Sequence, residues 1–65
     1  MNIKKSIKVA CATKGITQRE LSSKSGIGES TISIIMNKNK ANTDTLIDIS
    51  HALSMNLSTF IALGE

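Results

Sequence analysis

Apolar positions recur along this chain at the three-and-four spacing of helices, with polar punctuation between the runs. Ile3, Ile7, Ala10 and Cys11 fall at i, i+4, i+7 and i+8, one stripe of a helix. Lys4, Lys5 and Lys8 lie off that stripe, so a first helix is predicted from about residue 3 to Lys14, ended by Gly15. Thr17, Gln18, Arg19 and Glu20 form a capping box, in which the Thr hydroxyl and the Glu carboxylate each satisfy a free backbone N–H. Ile16 and Leu21 stand at the staple positions on either side of it. The second helix then runs from Gln18 to Ser25 and stops at Gly26, which takes positive φ at little cost.

Ile32, Ile35 and Met36 define a third helix over about Glu29 to Met36, with Gly28 as a weaker N-cap. The polar run Asn37, Lys38, Asn39, Lys40 reads as a loop. Asn42 or Thr43 caps a fourth helix striped by Leu46, Ile49 and Leu53, and Asn56 caps a last one carrying Leu57, Phe60, Ile61 and Leu63. No internal repeat, low-complexity tract or dividing linker interrupts this order. The expectation is an all-α, five-helix chain forming one domain over residues 1–65.

Composition agrees with that pattern and removes several alternatives. A chain of 65 residues buries only about 60% of its unfolded surface, so staples would matter. One cysteine cannot make an internal disulfide, and one cysteine with one histidine cannot fill a structural zinc site. A single Phe, with no Trp, Tyr or Pro, argues against a small β-barrel or sandwich. Met1 to Lys5 resembles the start of a signal peptide, but Lys8 breaks the segment after it and the apolar run Val9 to Ala12 is too short. No stretch approaches the ~20 apolar residues of a membrane span. The expected location is the cytoplasm, with no membrane partner.

Charge adds a direction. Residues 1–40 hold all eight basic residues against Glu20 and Glu29, a balance of +6, whereas residues 41–65 hold Asp44, Asp48 and Glu65 alone, −3. A basic face suits a polyanion such as nucleic acid, and a solvated lysine surface explains the same balance equally well.

The junction between the second and third helices carries the functional reading. A turn of about three residues opened by Gly26 makes a compact helix-turn-helix. Leu21 must enter the core, Ser22 must be small where the helices cross, Gly26 must turn, and Ile27, Ile32 and Ile35 must point inward. Glu29, Ser30, Ser33 and Ile34 are then left exposed on the third helix.

Thr17 to Leu21 followed by Gly26 to Ser30, with Leu46, Ile49, Ala52, Leu53 and the segment Asn56 to Ile61 behind them, resembles the Cro and phage-repressor (XRE-like) helix-turn-helix family. The resemblance runs from about Ile7 to Leu63 and implies a lambda-repressor-like arrangement. Ser22 stands where that family usually has Ala, and Ser25 where it usually has an apolar residue; both are expected to weaken packing. The resemblance implies that the third helix enters the major groove of double-stranded DNA. The DNA-facing set it implies is Gln18, Arg19, Gly28, Glu29, Ser30, Ser33, Ile34, Asn37, Lys38, Asn39 and Lys40. Gln18 would meet the backbone or orient a reading residue, Asn37 to Lys40 would follow the phosphates, and Asn39 or Lys40 would be placed to reach a base.

Several of these residues keep two readings. Glu29 either accepts from a cytosine N4 or only answers the helix dipole. Ser30 either reads a base weakly or is plain helix surface. Ile34 suits a thymine methyl, a protein contact or partial burial. Lys4, Lys5 and Lys8 read as a solvated face, and Lys38 and Lys40 as phosphate contacts. His51 reads as a surface histidine, Cys11 and Met36 as core, and Met1, Met36 and Met55 share no helix.

No nucleophile–base pair, carboxylate pair or phosphate-binding glycine loop is present in the sequence, so neither catalysis nor a cofactor or metal is expected. The leading expectation is a DNA-binding transcriptional regulator of Cro or repressor type, with no room for an effector domain and control by operator occupancy. Leu57, Phe60, Ile61 and Leu63 exceed what a short terminal helix buries on one face, which points to a homodimer on a palindrome, or else to an intramolecular core. The rivals are an antirepressor-like protein-capture module, favoured by Glu29 and Ile34, and an antitoxin or cassette controller. RNA and single strands are disfavoured, because stacking platforms need aromatics and Phe60 is the sole ring.

Overall fold

The capping residues set the helix boundaries in the computed structural model, which describes residues 2–65; Met1 lies outside the described residues. The elements are α1 (Ile3–Lys14), α2 (Gln18–Ser25), α3 (Glu29–Lys38), α4 (Thr43–Ala52) and α5 (Leu57–Ala62), with no strand among the described residues. Asn2, Asn42 and Asn56 cap α1, α4 and α5, their Oδ1 atoms accepting from Lys5 N (3.0 Å), Thr45 N (2.8 Å) and Thr59 N (2.8 Å). The capping box of α2 is closed in both directions: Glu20 N donates to Thr17 Oγ1 (3.1 Å), and Thr17 N donates to Glu20 Oε1 (3.2 Å). Each such cap contributes about 1 kcal/mol, which matters in a chain this small. Gly15 and Gly26 end α1 and α2 at φ 68° and 75°, where a side chain would be strained.

α3 runs two residues further than the apolar pattern predicts. Asn37 and Lys38 are helical, and Asn39 closes the helix in the left-handed conformation (φ 55°, ψ 40°). The N–H of Lys40 then donates to Ile35 O at 3.2 Å. Asn is the best non-glycine residue for that position, so the helix ends where the backbone can turn, not where the apolar residues stop.

Ile7 and Ala10 of α1, Leu21 of α2, Ile32 and Ile35 of α3, Ile49 and Leu53 near α4, and Phe60 of α5 meet in one core, with Ile3, Met36 and Leu46 completing it. α1 packs on α3 and α5, α2 on α3 and α4, and α4 on α5. This packing corrects two expectations, those for Phe60 and Cys11. Phe60, expected at a contact between subunits, is fully buried (0% exposed) and has no surface to offer a partner. Leu57, Ile61 and Leu63, expected beside it, are half-buried against the same core. Cys11, expected inside, is only partly covered: it packs against the core but lines a surface groove with Ile7 and Met36.

The chain ends meet at a polar point inside the fold. Ser6 is fully buried and its Oγ has no hydrogen-bond partner among the described residues. Gly64 is pressed so closely onto α1 that a Cβ there would overlap the carbonyl oxygen of Asn2 and the Oγ of Ser6.

Candidate nucleic-acid interface

The turn between α2 and α3 is held by serines. Ser22 Oγ donates to Ile27 O at 2.6 Å, Ile27 N donates to Ser25 Oγ at 3.2 Å, and Ser25 Oγ donates to Ser22 O at 3.4 Å. Both backbone polar groups of Ile27 are therefore satisfied by side chains, leaving its own side chain to pack against the core. The two serines close the turn. They are not merely weakened packing positions.

On α3, the inward positions Ile32, Ile35 and Met36 leave Glu29, Ser30, Ser33, Ile34 and Asn37 on the outer side, all exposed. Ile34 is the one large apolar side chain among the described residues that stands out, at 53% exposed. Two contacts from the first turn of α2 reach this face. Gln18 Nε2 donates to Ser33 Oγ at 3.1 Å, and Arg19 Nε lies 4.0 Å from Glu29 Oε2. The second is an exposed ion pair, which adds little stability and is easily exchanged for a stronger anion. At the other end of α3, Lys38 and Lys40 are exposed and in no ion pair among the described residues.

Two expected contact residues have structural work of their own. Asn39 is a strap: its Oδ1 accepts from Lys4 N at 3.1 Å, supplying a second cap to α1 from 35 positions away. Gly28 is the N-cap of α3 and makes no side-chain cap, and a Cβ there would meet only Thr31 Oγ1 at 4.0 Å. Crowding therefore does not require glycine there. Its effect is to leave the first N–H groups of α3 open at the positive end of the helix dipole.

Of these features, the sequence carried the outer face of α3 and the capping box. It did not carry the Asn39 strap, which joins groups 35 positions apart, or the Ser22–Ile27–Ser25 closure, whose hydroxyls lie two to five positions from their partners but carry no apolar signal. An asparagine at the end of a helical run was the one available signal for the first. His51 is exposed, and no group of three or more His, Cys, Asp or Glu among the described residues could hold a metal ion. Burial pushes the Cys11 thiol above its ordinary range.

Two short helices joined by a glycine turn, the second presenting a polar outer face and the whole backed by three further helices, define a helix-turn-helix domain. The chain belongs to the Cro/C1-type HTH DNA-binding domain family, whose model matches residues 6–63. No curated protein and no solved structure matches the chain. No helix among the described residues is long and apolar enough to cross a membrane.

Proposed function

We propose that residues 1–65 act as one sequence-specific, double-stranded-DNA-binding domain, a Cro- or repressor-like transcriptional regulator working in the cytoplasm by occupying an operator. The observation that carries this reading is the exposed outer face of α3, which Gln18 from α2 reaches by its hydrogen bond to Ser33. In the major groove, Glu29 accepts from a cytosine amine, Ser30 and Ser33 hydrogen-bond to base edges, and Ile34 packs on a thymine methyl. Arg19, Asn37, Lys38 and Lys40 follow the phosphates, with the open N–H groups after Gly28. A domain of this size gains affinity from a second copy on a palindrome, and Leu57, Ile61 and Leu63 are the apolar side chains still partly available for it.

Replacing Glu29 by Gln tests the reading directly. Base preference should change at one position in each half-site, by about 1–3 kcal/mol of discrimination. A uniform rise in affinity with unchanged preference would mean that Glu29 is only a charge near phosphates. Exposed Ile34 and acidic Glu29 on the same helix also support a protein-capture role, and folded protein that binds no duplex at low salt would favour it.

A further inference from the structure

One hydrogen bond and one shared groove place the basic side of α1 near the candidate reading face. The N–H of Lys4 donates to Asn39 Oδ1 at 3.1 Å, so the first turn of α1 abuts the end of α3. One turn on, Lys8 lines the same surface groove as Gln18, whose amide reaches Ser33 on the outer side of α3. Lys4 and Lys8 are four residues apart, about 6 Å along one side of the helix. Both are exposed and neither is in an ion pair among the described residues. Their neighbour Lys5 behaves differently, its Nζ donating to Glu65 O at 3.4 Å. No carboxylate lines either of the grooves that flank Lys8.

We propose that Lys4 and Lys8 bind phosphates of the duplex on which α3 sits, extending along α1 the track formed by Lys38 and Lys40. This rests on the DNA-binding reading above. Ammonium groups gathered without a carboxylate repel one another, and a phosphate backbone relieves that repulsion while releasing its condensed counterions. The footprint is then wider than the helix-turn-helix, and the added affinity is independent of sequence.

The test is a salt titration of the full chain on a labelled random-sequence duplex of about 24 base pairs, between about 50 and 300 mM salt. The parent is compared with K4A/K8A and with K14A/K24A, which removes the same charge from exposed positions in the last turns of α1 and α2. Alanine at exposed helical sites keeps the fold, and K4R/K8R should behave like the parent. K4A/K8A should flatten the slope of log affinity against log salt by about two units and weaken binding roughly tenfold to a hundredfold at about 0.1 M salt. K14A/K24A should change the slope by less than about half a unit. An unchanged slope in K4A/K8A, or equal flattening in both variants, overturns the inference while leaving the DNA-binding reading intact. A parent with no salt-dependent duplex binding overturns both. Loss of binding to phosphatidylserine vesicles with an unchanged DNA slope would assign the lysines to a membrane surface and also overturn it.

Discussion

Ser6→Ala should stabilise the protein, and the reason is specific to one atom. The hydroxyl is fully buried and has no partner among the described residues, so folding strips it of water and gives nothing back. An unsatisfied buried hydroxyl costs about 1–3 kcal/mol. Alanine removes that cost and is also the better helix former, by up to roughly 0.5 kcal/mol. Against this stands the loss of one oxygen's packing contacts, each about 0.1–0.2 kcal/mol. The net expectation is a gain of about 1–2 kcal/mol, or roughly 5–15 °C in Tm for a domain this small. Thermal and urea unfolding followed by circular dichroism would measure it, with an unchanged m-value showing that the same surface is exposed on unfolding. Gly64→Ala is the companion, because its Cβ would overlap both Ser6 Oγ and the Asn2 carbonyl. It should destabilise by more than about 2 kcal/mol, and less in the Ser6→Ala background, where one of the two obstacles is gone. A neutral or destabilising Ser6→Ala would refute the reasoning and show that the hydroxyl has a partner in solution.

Three other outcomes rest on the same geometry. Asn39→Gly keeps the left-handed turn but loses the strap to Lys4, costing about 1 kcal/mol, whereas Asn39→Ala loses both and should cost about 2–3 kcal/mol in urea unfolding. Ser54, at φ 57°, should gain up to about 1 kcal/mol on replacement by glycine, read as a rise in Tm. Burial holds the Cys11 thiol protonated, so iodoacetamide should modify it more slowly than a free thiol near neutral pH and at the free rate in urea; native stability should fall as pH rises through the range above the ordinary thiol value.

Most of the fold was legible because its signals are local. Caps at Thr17, Asn42 and Asn56, the turns at Gly15 and Gly26, and the aliphatic stripes each depend on residues a few positions apart. The exposed side of α3 came from the same arithmetic, since Ile32, Ile35 and Met36 can face only one way. Legibility fell where a polar residue acts at a distance. Asn37 and Lys38 carry no apolar signal, so the last turn of α3 looked like loop until Asn39 was seen to close it. Ser6 and Gly64 are unremarkable in sequence, and only the approach of the chain's end to α1 gives them meaning. Phe60 misled for the opposite reason: it was one of four apolar side chains judged too many for a short terminal helix to bury, but the aliphatic core of this fold takes its one large ring inside.

The central claim is that the outer face of α3 reads duplex sequence. Selection from a pool of randomised duplexes of about 24 base pairs at roughly physiological salt, where non-specific binding is weak, tests it most directly. Enrichment of an inverted repeat with half-site centres about one helical turn apart is the predicted result. Folded protein that enriches no sequence would contradict it.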